Sequence, residues 1–239
     1  MPISMRNIQQ IDGGYIININ KPEGWTSFDV VKKVKKVTGL KKVGHAGTLD
    51  PFASGVLLIC VGKATKKINE FMDWPKEYEA ILRLGKTTTT LDKTGVITEE
   101  KPIKTLTKDQ VLSILNSFIG PSQQKIPAYS AAKIGGKRFY RLARQGKEVP
   151  ERFRNIQIYE LSLLDYQPDK LVFKVRCSRG TYIRTLGLDI AHKMESTGYL
   201  EELIRISIGP YRVEDSLPID EFRTAWSKIN KNESFLLHS

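Results

Sequence analysis

The longest uninterrupted apolar run in the chain, Val56 to Val61, is six residues. A helix that crosses a bilayer needs ~20 such residues, so this run is a buried strand and no membrane span is expected. Around it, short apolar segments of two periodicities alternate. Tyr15–Asn20, Glu77–Leu84, Ile156–Tyr166 and Leu171–Cys177 read as strands, the last two forming a hairpin with a long loop around Pro168-Asp169. Helical spacing appears between Ser27, the expected cap, and Gly39, the expected stop, with Phe28, Val30, Val31, Val34 and Val37 on the apolar face and Lys32, Lys33, Lys35 and Lys36 mainly opposite. A short helix is expected over about 63–72. A second capped helix follows Thr107, carries Val111, Ile114, Leu115 and Phe118, and ends at Gly120-Pro121. After Gly180, Ile183, Leu186, Ile190 and Met194 again recur helically. No repeat or low-complexity linker divides the chain, so strands and helices share one α+β body. The Thr87–Thr90 stretch is expected to be an exposed polar loop.

The chain carries 38 Lys+Arg against 26 Asp+Glu, a net charge of +12 in 239 residues. Such an excess most simply serves a polyanionic partner, because each cation that neutralises a phosphate releases condensed counterions. The first ten residues lack the apolar stretch of a secretory signal, and a cytoplasmic location is expected. Cys60 and Cys177 sit in strand-like surroundings and share no metal-ligand spacing with His45, His192 or His238. No metal and no cofactor is expected.

Gly39 to His45 has glycine spacing like that of a phosphate loop, but His45 and Ala46 stand where Lys and Ser or Thr are required. What remains is Gly44-His-Ala-Gly-Thr-Leu-Asp50-Pro51, a carboxylate before proline on a glycine-rich loop. Proline disfavours helical backbone at Asp50, and the glycines permit close approach of a ligand. Farther on, Lys133, Arg138, Arg141 and Arg144 are interleaved with Tyr129, Phe139 and Tyr140, the basic and aromatic composition that grips RNA.

Lys21-Pro22 with Gly24 and Ser27, the octapeptide Gly44–Pro51, and Gly55-Val-Leu together resemble the signature of the TruB family of pseudouridine synthases. Three further blocks match in order: Lys76-Glu-Tyr78-Glu-Ala80; Pro127-Ala-Tyr-Ser-Ala-Ala-Lys133 with Tyr140 and Ala143-Arg144-Gln-Gly146; and Cys177-Ser-Arg-Gly-Thr-Tyr182-Ile-Arg184. The resemblance runs from about Tyr15 to Tyr211. Departures are Thr89 for the first acidic residue of the Thr-rich loop, Ala191 for a Gly, and Ile204 for an Arg before Arg205.

The resemblance implies a pseudouridine synthase fold: a mixed, mainly antiparallel central sheet flanked by helices, with the active-site cleft across it. It implies an N-terminal extension at 1–14, a catalytic domain at 15–212, and a short helix and tail at 213–239 without a PUA domain. The implied reaction isomerises uridine-55 in the T loop of tRNA. Asp50 acts at the ribose, attacking C1′ as a nucleophile or removing the 2′ proton to give a glycal. Arg184 pairs with Asp50, and Tyr78 stacks on the extruded uracil. Substrate contacts are implied for His45, Lys21, Tyr182, Leu203, Lys133, Tyr140, Arg141 and Arg144. The partner is the T arm of tRNA, with no obligate protein partner, and a monomer is expected. Two alternatives are a guide-RNA-dependent synthase resembling dyskerin and a non-catalytic tRNA-binding chaperone. A glycoside hydrolase would need a second carboxylate opposite Asp50, and no motif nominates one.

Overall fold

The structure, a computed structural model, describes residues 7–130, 132–134, 137–145 and 149–236. The chain divides into two compact units, one of residues 1–74 with 204–239 and the other of residues 75–203.

In the first unit, strand Ile8–Ile11 pairs antiparallel with Gly14–Lys21, which pairs antiparallel with Ser54–Gly62. The latter takes Val43–His45 antiparallel and the end of strand Gly198–Ile208 in parallel, at Ile204↔Ser54 and Arg205↔Gly55. Successive side chains of a strand point to opposite faces, and here both faces are covered. Ile17, Ile19, Leu57, Ile59 and Val61 pack with Val30, Val31 and Val34 of helix Ser27–Thr38 and with Phe222, Ala225 and Trp226 of helix Phe222–Leu236. Ile16, Val56, Leu58 and Cys60 pack on the other side with Ala46, Ala64, Phe71 and Ile208. Two-sided burial is why Val56–Val61 is apolar throughout and does not alternate.

Helix Ser27–Thr38 is capped by Thr26, one residue before the expected Ser27. The Thr26 hydroxyl accepts from the Asp29 amide, and the Asp29 carboxylate accepts from the Thr26 amide, both at 3.1 Å. The Thr26 hydroxyl also donates to the Asp29 carboxylate at 2.6 Å, and this bond, together with the one from the Thr26 amide, holds the Asp29 carboxyl below its usual range. Gly39, at φ 70°, ends the helix as expected. Phe28 is a correction: it is 60% exposed, with the Lys32 ammonium 4.8 Å from its ring centre. The buried stripe runs through Ser27, Val30, Val31 and Val34 and leaves Phe28 to one side.

Segments near both chain ends pack into the first unit. Ile8–Ile11 is part of the sheet, and Ile219, Phe222, Ala225 and Trp226 pack into the same core as Ile17 and Leu57. The last helix continues to Leu236.

The second unit holds an antiparallel run of strands in the order Lys76–Leu84, Lys170–Cys177, Phe153–Gln167, Gly120–Lys125. Gln167↔Lys170 closes the long hairpin, so only Pro168 and Asp169 form the turn, tighter than the expected long loop. Lys76, Tyr78, Ala80, Leu82 and Leu84 are buried in strict alternation. Helix Lys108–Asn116, with its Thr107–Gln110 capping box, lies against strand Phe153–Gln167, and helix Ile183–Lys193 contacts strand Gly120–Lys125. Thr87 and Thr88 are buried and pair Lys86–Thr88 with Ile97–Glu100, so of the Thr-rich stretch expected to be an exposed loop only Thr89 and Thr90 form a turn, with Thr89 exposed.

Candidate active site

The octapeptide leaves strand Val43–His45 and is then tied down peptide by peptide. The Ala46 amide donates to the Leu58 carbonyl at 2.9 Å. Arg205 takes the next two carbonyls: Nη2 donates to Gly47 at 3.1 Å and Nη1 to Thr48 at 3.3 Å, while Nε donates to Val56 at 2.7 Å. Leu49 is held by the Ser27 hydroxyl, which accepts from its amide at 2.9 Å and donates to its carbonyl at 3.1 Å. The helix start that Ser27 does not cap is thereby attached to the residue before Asp50. The Asp50 carbonyl accepts from the Ala53 amide at 3.2 Å, and the Pro51 carbonyl from the Gly24 amide at 2.8 Å. Asp50 and His45 are half-buried.

Lys21 completes the frame. It is 0% exposed, and its ammonium donates to the carbonyls of Pro22, Trp25 and Pro51 at 2.8, 2.7 and 3.3 Å. An ammonium has three protons to give, and here three carbonyls take them. Lys21 is therefore a clasp on the Pro22–Trp25 and Pro51 turns. Desolvation pushes its pKa down to about 8, helped by the nearby Arg205 charge and opposed by Asp50 and Glu23.

In the second unit, Tyr78 sits on strand Lys76–Leu84 opposite Val175 and is 8% exposed. Arg184, only 4% exposed, is no surface arginine of its helix. Its Nη1 donates to the Thr90 carbonyl at 2.6 Å and its Nη2 to the Tyr129 carbonyl at 2.9 Å, and its Nε lies 3.8 Å from the Asp92 carboxylate. Asp92 is itself buried and accepts from the Thr90 hydroxyl, the Thr94 amide and the Thr94 hydroxyl. The threonines of this turn thus satisfy a buried carboxylate. Tyr182 is fixed by Gln124, which accepts from its amide at 2.8 Å and donates to its carbonyl at 3.0 Å. Leu203 is 5% exposed.

Of the expected basic and aromatic segment, Tyr140 is half-buried in the first turn of helix Phe139–Arg144, with its amide donating to the Ser130 carbonyl at 3.1 Å. Phe139 is 1% exposed, so it packs inside where an RNA-facing ring was expected. The side chains of Lys133, Arg138, Arg141 and Arg144 lie outside the described residues, as does Gly146. Both cysteines are buried, and burial pushes the Cys60 thiol up to about 12, far from a thiolate. Among the described residues, no group of three or more His, Cys, Asp or Glu is placed to hold a metal ion.

Sequence reasoning missed Arg205, Asp92 and Gln124. Asp92 had a signal in the threonines around it. Arg205 had none, because the carbonyls that it binds lie about 150 residues earlier in the chain.

Residues 35–183 match the TruB family pseudouridylate synthase, N terminal domain. The chain is 40% identical over 227 residues to tRNA pseudouridine synthase B of Caldanaerobacter subterraneus subsp. tengcongensis, covering 95% of this chain and 79% of that protein. It is 44% identical over 220 residues to tRNA pseudouridine synthase B of Bacteroides thetaiotaomicron, covering 88% and 92%. Among solved structures, a Cbf5-Nop10-Gar1 complex contains a chain that matches with a TM-score of 0.71 at 27% identity, over 98% of this chain and 59% of that one. The glycine-rich loop that carries Asp50, the matched span and these relatives agree, and the chain belongs to the TruB family of pseudouridine synthases.

Proposed function

We propose that the protein isomerises uridine to pseudouridine in tRNA, at position 55 of the T loop, with Asp50 as the catalytic carboxylate. The observation that carries this reading is the frame around Asp50: the peptides from Ala46 to Pro51 are held by Arg205, Ser27, Lys21 and backbone partners, which fixes one carboxylate for chemistry. The reaction breaks the bond from uracil N1 to C1′, joins C5 to C1′, removes the proton from C5 and leaves one on N1. The target base must first leave its stack, at a cost of a few kcal/mol that contacts to the RNA offset.

Asp50 acts at the ribose, by attack on C1′ or by removal of the 2′ proton; deuterium at C2′ gives a primary isotope effect only on the second route. Tyr78 stacks on the extruded uracil, and its hydroxyl assists at the C5 proton. Arg184 is the cation that balances Asp50 in the substrate complex. His45, Tyr182, Leu203 and Tyr140 contact the RNA, and Lys133, Arg141 and Arg144 supply phosphate contacts. The protein works as a cytoplasmic monomer; among the described residues, no helix is long and apolar enough to cross a membrane.

Incubation of the purified protein with unmodified tRNA transcript, followed by pseudouridine mapping, tests the proposal. Product at uridine-55 without any guide RNA is the expected result. The similarity to a chain of the Cbf5-Nop10-Gar1 complex gives the second reading its weight. Modification that appears only when a guide RNA and partner proteins are added would establish that reading instead.

A further inference from the structure

Arg205 is 1% exposed and spends all three of its nitrogens on backbone carbonyls of one short region, Gly47, Thr48 and Val56. A guanidinium is costly to bury, and its burial is offset only where its donors are all directed at acceptors. A neutral side chain could have filled the same space without that cost. The place of Arg205 is fixed from the backbone as well. It pairs in parallel with Gly55, which has φ 103°, and a Cβ at Gly55 would lie 2.3 Å from the Arg205 carbonyl oxygen. Only glycine lets the two backbones approach this closely. The strand that delivers Arg205 is therefore seated against the far end of the same loop that its guanidinium grips.

Lys21 holds the other side of Asp50. It takes the carbonyl of Pro51 while Arg205 takes those of Gly47 and Thr48, so two buried cations grip the backbone on either side of one carboxylate. Both charges are close enough to act on each other, and the Asp50 charge acts on Lys21.

We infer that Arg205 is a positioning residue for the reaction: through the Gly47 and Thr48 carbonyls it sets the path of the loop into Asp50, with no contact of its own to substrate. The inference rests on the reading of Asp50 as the catalytic carboxylate. A rigid hold matters here because a displacement of about 1 Å in a reacting group costs on the order of 100-fold in rate. Lysine at this position retains the charge but offers a point donor in place of the fork, and cannot span the Gly47, Thr48 and Val56 carbonyls together.

The test is single-turnover kinetics with enzyme in saturating excess over tRNA transcript, where the rate constant does not depend on the fraction of enzyme that is folded. Arg205→Met is expected to slow that rate constant about 100-fold and Arg205→Lys about tenfold, with the Kd for tRNA within about threefold of wild type. Arg205→Lys guards against a Met variant that fails to fold. A rate constant for Arg205→Lys within twofold of wild type, or a loss confined to Kd, overturns the inference. Asp50→Asn is run in parallel: normal turnover in that variant refutes the Asp50 reading itself, whereas an inactive Asp50→Asn beside a fast Arg205→Lys refutes only the role of Arg205.

Discussion

Replacing Lys21 by Met removes one buried charge, and the effect on stability has a definite sign with pH. The Lys21 pKa is about 8 in the folded protein against 10.5 for an ordinary lysine. Below pH 8 both states are protonated, and the fold carries the whole burden of the buried charge. Between 8 and 10.5 the unfolded chain holds a proton that the folded chain has released, so stability rises with pH at about 1.4 kcal/mol per pH unit. Above 10.5 both states are neutral and the rise ends. A difference of 2.5 units, from 10.5 to about 8, makes the full span about 3 kcal/mol. The other ionisable side chains are common to both proteins and cancel in the difference between wild type and Lys21→Met. The carbonyls left without a donor in the variant add an offset that does not vary with pH. Trp25, Trp74 and Trp226, the three tryptophans of the chain, all belong to the first unit, so their fluorescence in urea follows the unit that contains Lys21. The stability of wild type minus that of Lys21→Met should climb from pH 8 to 10.5. A flat or falling difference would show that the three carbonyls hold the ammonium more strongly than burial disfavours it.

Asp50→Asn should lower turnover by at least about 1,000-fold while tRNA binding stays within about threefold, since one half-buried carboxylate supplies no phosphate contact; filter binding and product mapping check both. Gly55→Ala should cost about 3 kcal/mol or more, because the new Cβ meets the Arg205 carbonyl at 2.3 Å and φ is 103°, and tryptophan-detected urea unfolding reads the loss. Tyr78→Phe should keep tRNA affinity and lose about 10- to 100-fold in single-turnover rate, with Tyr78→Leu slower still; equal rates in all three proteins would make the ring structural.

The parts legible in the sequence were those whose signal is local. Val56–Val61 announced a strand covered on both faces, and Gly39 marked a helix end through its own backbone freedom. Thr26 and Ser27 are adjacent hydroxyls, either of which could cap; what separates them is that Leu49 claims Ser27, and this contact spans 22 residues. Phe28 and Phe139 show the limit from both sides. The first is a large apolar ring left exposed and the second a ring in a basic stretch that packs inside, because burial depends on what the rest of the chain brings near. For the candidate site, the octapeptide and Tyr78 could be read from motif resemblance. The two cations that frame Asp50 could not be read as a frame, because lysine and arginine look alike in sequence whether they meet phosphate or carbonyls. The buried Asp92 that lies beside Arg184 belongs with them: a carboxylate in a run of threonines reads as a solvated turn until the turn is seen closed around it.

The first unit builds most of its sheet from residues 8–21 and 43–62 but completes its core with Leu217, Ile219, Phe222 and Trp226, whereas the second unit is a single continuous stretch, 75–203. A chain made from its N-terminus therefore completes the second unit while the first still lacks part of its interior, and the contacts that close the first span nearly the whole sequence. The loop carrying Asp50 is synthesised early and receives the guanidinium that grips it about 150 residues later. During translation the carbonyls of Gly47, Thr48 and Val56 therefore wait for their donor until residue 205 has been made.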